Sequence, residues 1–243
     1  MKQILTILAA LTICAAGAVE LNGKKGYIAL NWKNTMPYPA FTVSFKVRMA
    51  TKDMVLPASV KKRGRILFHL NPRGKQNTGL QNIKIFFNVA THPSGGYAGI
   101  QAGGKDYAGK EEKIRYNVYW RAANSQVPTD EFVTVTLVYA DGRMDAYLNQ
   151  QNHAALHKLM VHTVAHAAPE YQMSFGSMNG RYPVPCAIKD IAIFDRALSA
   201  EEAKLLATGA KAQKIVGLLA YYPLDKDGTP AVASSQIKLK VVK

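Results

Sequence analysis

A retaining glycosidase needs two carboxyl groups about 5 Å apart, one nucleophile and one acid/base, and on a strand that means acids at even spacing on one face. The acidic pairs considered for this role are Asp141 with Asp145, Glu111 with Glu112, and Asp225 with Asp227. The first straddles a turn, the second alternates faces, and the third flanks Lys226 at a strand end. None makes a catalytic pair, so the chain reads as a binder and not an enzyme. Lyase chemistry would need Arg, Gln or Asn against a uronate and a Tyr or His base. Gln101, His92, Tyr107, Arg115 and Tyr119 supply those types without a defining spacing.

Among the six histidines, His153 and His157, and again His162 and His166, stand four apart. That spacing serves zinc on a helix. Leu159, Val161, Thr163 and Ala165 alternate with Met160, His162 and Val164, which is a strand pattern that carries i and i+4 apart. No metal site and no cofactor are expected.

Sugars are held by aromatic platforms for their C–H faces and planar polar groups for their hydroxyls. The densest supply runs from 92 to 124, and the expected ligand-binding set is His92, Tyr97, Asp106, Tyr107, Trp120 and Asn124. Gly95, Gly96, Gly99, Gly103 and Gly104 let a ligand approach the backbone there. Trp32, with Asn31 and Asn34 in what reads as a loop, is a second candidate. Cys186 reads as an inert buried thiol.

The elements that must position these residues belong to an exported chain. Lys2, the apolar run Ile4 to Ile13, and Ala16-Gly17-Ala18 form the three regions of a signal peptide over residues 1–18. Leu11-Thr12-Ile13-Cys14 approaches a lipoprotein box, but the bulky Ile13 before the cysteine opposes it. No later segment has the ~20 apolar residues of a membrane span, so no transmembrane segment is expected. The destination is the periplasm, the cell surface or the medium. Cleavage leaves Cys186 without a disulfide partner, and residues 19–243 are expected to form a single domain whose stability rests on its core.

The formal charge is +15, from 31 Lys and Arg against 16 Asp and Glu. Lys61, Lys62, Arg63 and Arg65 are the densest basic run, and Lys238, Lys240 and Lys243 add a basic tail. Such a surface favours anionic partners. Outside the cytoplasm nucleic acid is not among them, which leaves an anionic polysaccharide or envelope glycan.

Phe41, Val43, Phe45 and Val47 alternate with Thr42, Ser44, Lys46 and Arg48, a half-buried strand. Val19–Leu30, 65–70, 82–89, 97–102, 114–120 and 171–177 supply further strand-like runs between Gly, Pro, Asn and Lys clusters. Asp141-Gly142 between alternating runs predicts a tight hairpin. Ile188 to Phe194 then alternates, with Ala187, Ile191 and Ile193 on one face and Asp190, Ala192 and Phe194 on the other. Ser199 and Glu202 form a capping-box pattern and Gly209 a stop, so one short helix is expected near 199–208.

This last stretch, Ile188 through Asp195-Arg196-Ala197-Leu198-Ser199 to Glu202, resembles the closing motif of laminin-G-like, concanavalin A-like jelly-roll domains. Tyr147-Leu148-Asn149, Gln172-Met173-Ser174-Phe175-Gly176 and the order Leu21-Asn22-Gly23, Tyr27-Ile28, Ala40 to Phe45 are similar to further pieces of the same family. The resemblance implies an all-β, two-sheet antiparallel sandwich. It also implies that Arg196 is paired at a strand–helix junction. The family includes lectin-like binders and glycan-cleaving enzymes, but neither a Glu-x-Asp-x-Glu nor an Arg-x-Glu-x-Arg or Gln-Ile-His pattern is present. Structural calcium occurs in such domains, yet Ala233 stands where the family run carries Asp.

Gly217 to Asp225 is similar to the family's first strand, here placed last, so a permuted strand filling that slot is expected. The function expected is carbohydrate binding without catalysis. A structural or adhesive envelope protein is the alternative, and a jelly-roll lyase or hydrolase the third.

Overall fold

The structure is a computed structural model that describes residues 17–23, 26–33, 40–49, 65–73, 82–88, 97–103, 116–119, 131–140, 143–156, 170–177, 180, 183–225 and 230–242. Its strands are β1 (Val19–Asn22), β2 (Tyr27–Lys33), β3 (Ala40–Met49), β4 (Arg65–Arg73), β5 (Asn82–Asn88), β6 (Tyr97–Gly103) and β7 (Tyr116–Tyr119). They continue with β8 (Val133–Ala140), β9 (Arg143–Leu148), β10 (Gln151–Leu156), β11 (Glu170–Phe175), β12 (Pro185–Phe194), β13 (Leu218–Tyr222) and β14 (Ile237–Val242). A single described α-helix, α1 (Ala200–Ala207), follows β12. One antiparallel sheet runs β1-β12-β3-β8-β9-β10 with β13 also on β12; the other runs β14-β2-β11-β4-β5-β6-β7. The expected two-sheet sandwich with one short helix is the fold.

Alternation builds the core between the sheets. Phe41, Val43, Phe45 and Val47 enter it from β3, Ile28, Leu30 and Trp32 from β2, and Met173 and Phe175 from β11. Phe175 sits edge-on to Phe45 at 5.1 Å and to Phe68 at 5.2 Å, the geometry that the ring quadrupoles favour. A smaller cluster forms outside the first sheet, where Leu198, Ala203 and Leu206 of the helical region cover Val138, Tyr147, Ala192 and Phe194. The outer face of the second sheet has no helix among the described residues.

The structure corrects several expectations. Val19–Leu30 is two strands in different sheets, divided at Gly23, whose φ of +70° reverses the chain and which a Cβ would drive into Pro185. Trp32 lies within β2, fully buried, and not in a loop. β10 was not anticipated: Leu148 pairs with Gln151 across a tight turn, which Asn149 makes possible by taking φ +53° in place of glycine. In β12 the parity slips. Ile188, Ile191 and Ile193 face the core, and Asp190 with Ile191 stands opposite the one residue Phe45. Asp190, at φ +55°, is the extra residue of a bulge, and Ala187 is consequently on the opposite face from Ile191.

The junction after β12 forms as its motif implies. Ser199 Oγ accepts from Glu202 N–H at 3.2 Å, and Glu202 Oε2 accepts from Ser199 N–H at 2.9 Å. Gly209, at φ +94°, ends the helix, with Gly209 N–H donating to Leu206 O and Ala210 N–H to Leu205 O, a Schellman closure. The tail then packs into the sandwich: β13 pairs with β12, and β14 pairs with β2. It contributes Ala220, Tyr222, Leu224 and Ile237 to the main core.

Candidate functional site

The register of the second sheet lines up one cross-strand row of Lys240, Ala29, Ser174, His69, Lys84, Gln101 and Asn117, of which Ala29, Ser174 and His69 alternate with core residues of their strands. A second row beside it holds Lys238, Asn31, Gln172 and Asn71. The alternate rows carry Leu30, Met173 and Leu70, then Ile28, Phe175 and Phe68, all in the core. A face turned from the core is normally solvated and polar. Here the polar groups are buried: Ser174 is 0 %, His69 3 % and Gln172 4 % exposed.

Buried polar groups ordinarily find partners. Ser174 Oγ donates to Ser177 O at 2.8 Å. Asn31 Oδ1, by contrast, is buried with no hydrogen-bond partner among the described residues. An amide carbonyl, an imidazole, a second amide and lysines at row ends can accept from and donate to hydroxyls. One row further along β11 Glu170 pairs in register with Lys33 and Arg73, and Gln172 holds the next position of the same parity. A carboxylate pair at even spacing would require an acid there; the residue is an amide.

The opposite sheet carries a separate arrangement beside the helix. Asp190 receives Lys46 Nζ at 2.9 Å on Oδ2 and the Tyr221 hydroxyl at 2.7 Å on Oδ1. Burial first, and then the hydrogen bond to Asp190, push the Tyr221 phenol above its usual range, so it remains a donor. These residues line a cleft of about 320 Å³ floored by Ser44, Thr134 and Ala192.

Of the residues expected to bind ligand, Tyr97 is the first residue of β6, in register with Asn88. His92, Asp106, Tyr107, Trp120 and Asn124 lie outside the described residues. Tyr97 and Gly103 bound β6, so the segments bearing His92 and Asp106 join this strand at opposite ends. Also outside the description are residues 1–16, the basic run 61–64, Asp141-Gly142, the 157–169 segment with its histidines, and Asp227. The sequence reading missed His69 and Gln172, and it linked Asn31 to the wrong neighbour. The signal was present, since each alternates with core residues: Asn31 between Leu30 and Trp32, His69 between Phe68 and Leu70. Among the described residues no group of three metal-ligating side chains occurs, and no helix is long and apolar enough to cross a membrane.

Solved structures share this fold. The receptor binding domain of botulinum neurotoxin D superposes with a TM-score of 0.52 at 18% identity, covering 79% of this chain and 44% of that one. The native heptameric SAP-like pentraxin from Limulus polyphemus superposes at 0.50 with 10% identity, covering 91% of this chain and 96% of that one. The chain thus spans under half of the neurotoxin domain and nearly all of the pentraxin subunit. No curated protein sequence matches. The profile of the concanavalin A-like lectin/glucanases superfamily matches residues 22–204, and it stops short of β13 and β14, which the structure nonetheless builds into both sheets. With its two-sheet sandwich, its capped junction helix and a match over most of its length, the chain belongs to the concanavalin A-like lectin/glucanases superfamily.

Proposed function

We propose that this protein is an exported, non-catalytic carbohydrate-binding protein whose ligand lies across the outer face of the β14-to-β7 sheet. The observation that carries the reading is the buried amide carbonyl of Asn31, which has no hydrogen-bond partner among the described residues and stands beside Gln172 on a face turned from the core. An unmet buried acceptor costs about 1–3 kcal/mol, and a ligand hydroxyl would supply the missing donor. The superfamily is described by its lectins and glucanases, which makes sugar the ligand class that membership favours. Gln172, in place of a second acid on Glu170's face, supports binding over hydrolysis. Lys238, Lys240 and Lys84 at row positions favour an acidic sugar.

Residues 1–18 act as the export signal in this reading, and 19–243 form the one working unit. His92, Tyr97, Asp106, Tyr107, Trp120 and Asn124 stay in the proposed ligand-binding set on their residue types alone.

A panel of neutral and acidic oligosaccharides, presented at low and high salt, tests this. Binding to defined sugars that survives high salt and is lost in Gln172→Ala and Asn31→Ala is expected. Attachment to every polyanion alike, abolished by salt, would reduce the activity to charge. Binding to envelope proteins alone would make this an adhesive protein. Release of reducing ends or unsaturated uronates would make it an enzyme.

A further inference from the structure

The cleft beside the helix is polar on its floor and apolar on its wall. The floor is the outer face of β3, β8 and β12, and the wall is the end of α1 with the 3-10 turn Ala212–Lys214. Leu206, Ala212 and Ala192, all buried, line it with hydrocarbon. At its centre stands Asp190, which reaches Lys46 on one flanking strand, β3, and the Tyr221 hydroxyl on the other, β13. The bulge is what allows this, since the extra residue, at φ +55°, leaves the regular alternation of β12. Bulges recur beside functional sites because they re-aim a side chain in this way.

Lys46 and Asp190 neutralise each other, so the centre of the cleft carries no net charge. What the pair keeps is hydrogen-bonding capacity. An ammonium has three protons, and each carboxylate oxygen can accept twice, whereas Lys46 gives one proton to Asp190 and each Asp190 oxygen takes one described donor. Both side chains remain about a quarter exposed, at 28 % and 25 %. Lys46 Nζ and Asp190 Oδ2 stand 2.9 Å apart, close to the separation of two neighbouring hydroxyl oxygens on a pyranose ring. One such hydroxyl can accept from Lys46 while the next donates to Asp190. Thr134, the register partner of Lys46, and Gln213 on the far wall add neutral polar groups. The cleft volume of about 320 Å³ is at the small end for ligand pockets, which suits one ring and not a chain.

We propose that this cleft is a second ligand site, on the sheet opposite the polar rows, and that it takes one neutral sugar ring by a pair of neighbouring hydroxyls. Lys46 donates to the first hydroxyl and Asp190 accepts from the second. Thr134 and Gln213 meet the hydroxyls that remain, and the C–H face of the ring lies on Leu206 and Ala212. The ligand class follows from the cleft's own groups and does not depend on the reading of the opposite face.

The test titrates the full chain with methyl galactopyranoside, methyl mannopyranoside and methyl glucopyranoside, with tetrahydropyran as the ring that has no hydroxyls. Methyl NMR follows Ala192 and Ala212, which line the cleft. Saturable shifts of both methyls are expected with at least one pyranoside, unchanged by salt, and none with tetrahydropyran. Lys46→Met removes the donor and leaves Tyr221 on Asp190, and it is expected to weaken that binding at least tenfold. Ala210→Trp, at an exposed position of the cleft wall, plugs the cleft without touching the pair and should do the same; it decides the matter if Lys46→Met does not fold. Failure of all three pyranosides to shift Ala192 and Ala212 overturns the proposal, as does undiminished binding in a folded plugged variant. Gln172→Ala separates the two sites. Oligosaccharide binding lost there with the Ala192 shifts intact would leave both sites standing, whereas shifts that vanish with Gln172 would return all binding to the opposite face and sink the cleft.

Discussion

Arg196 and Glu202 meet fork to fork. Nη1 donates to Oε2 at 2.8 Å and Nη2 to Oε1 at 2.5 Å, while the same Oε2 accepts the Ser199 N–H. Arg196 Nε reaches on to Val216 O at 3.0 Å, and Thr42 Oγ1 donates to Arg196 O while accepting from Leu198 N–H. One carboxylate therefore closes the helix start and, through one arginine, ties β12, α1 and the approach to β13 together. Bidentate charged contacts of this kind are among the stronger hydrogen bonds.

That clamp titrates in acid. The Arg196 hydrogen bond, opposed in part by burial, lowers the Glu202 carboxyl from its ordinary 4.5 to about 2. A carboxyl depressed on folding stabilises fully above its unfolded value and loses that contribution as pH falls through the folded one. The window is therefore pH 4.5 down to 2. Glu202→Gln is expected to cost about 1–2 kcal/mol at pH 7, and urea unfolding of both proteins should show the difference closing as pH falls toward 2. A difference that stays constant through the window would place the stabilisation elsewhere.

Gly217 allows the chain to turn over that clamp. At φ +84° it occupies the left-handed region, and a Cβ there would stand 2.6 Å from Asp195 Oδ1 and 3.1 Å from Arg196 Cγ. Gly217→Ala is expected to lower stability by about 1–3 kcal/mol, with the loss concentrated in hydrogen-exchange protection of β13. Unchanged protection at Leu218 to Tyr222 would contradict this.

Much of this was legible in the residues themselves. The capping box, the β8–β9 hairpin, whose Ala140 and Arg143 are register partners, and the alternation of β3 are local, and local chemistry fixed them. The tail's docking was expected from the resemblance of Gly217 to Asp225 to the family's first strand and from a length too short for a core of its own, and Tyr222 and Leu224 do enter the main core. The Asp190 bulge was not legible, because strict alternation assigns Ala187 to the Ile191 face; only the register step from Lys189–Lys46 to Ala192–Ser44 reveals the extra residue. Trp32 was misjudged for a related reason: an indole beside asparagines matches a sugar platform in composition, whereas its parity with Ile28 and Leu30 sends it inward. The polar row on the second sheet is a property of register, assembled from strands far apart in the chain, and no single window contains it.

Deletion from Gly217 onward removes both β13 and β14. It strips Tyr222, Leu224 and Ile237 from the core, at about 1.5–3 kcal/mol for each large side chain, and leaves β2 an open edge. Against a total stability of about 5–15 kcal/mol, the shortened chain is expected to lose its cooperative thermal transition. A remainder as stable as the whole would mean that the tail is an accessory and not a permuted strand of the sandwich.

Cys186 is 2 % exposed, and its burial, with the Glu20 charge adding to it, raises the thiol far above its ordinary range. A thiol reagent is therefore expected to leave the native protein unlabelled at pH 8 and to label it fully in denaturant. Rapid native labelling would place the thiol at the surface.

Asn31 separates function from stability. Its carbonyl is buried without a partner among the described residues on the sheet opposite the helix, while Leu30 and Trp32 on either side are in the core. Asn31→Leu removes the unmet acceptor and adds apolar surface at a half-buried position, so a gain of about 1 kcal/mol in unfolding free energy is expected. The same change removes the group offered to a ligand hydroxyl, and sugar binding should fall at least tenfold, the equivalent of about 1.4 kcal/mol. A structural asparagine would behave in the opposite way, with Asn31→Leu less stable and binding unaltered. Paired denaturation and oligosaccharide titration of this one variant therefore decide whether the polar face exists for a ligand or for the fold.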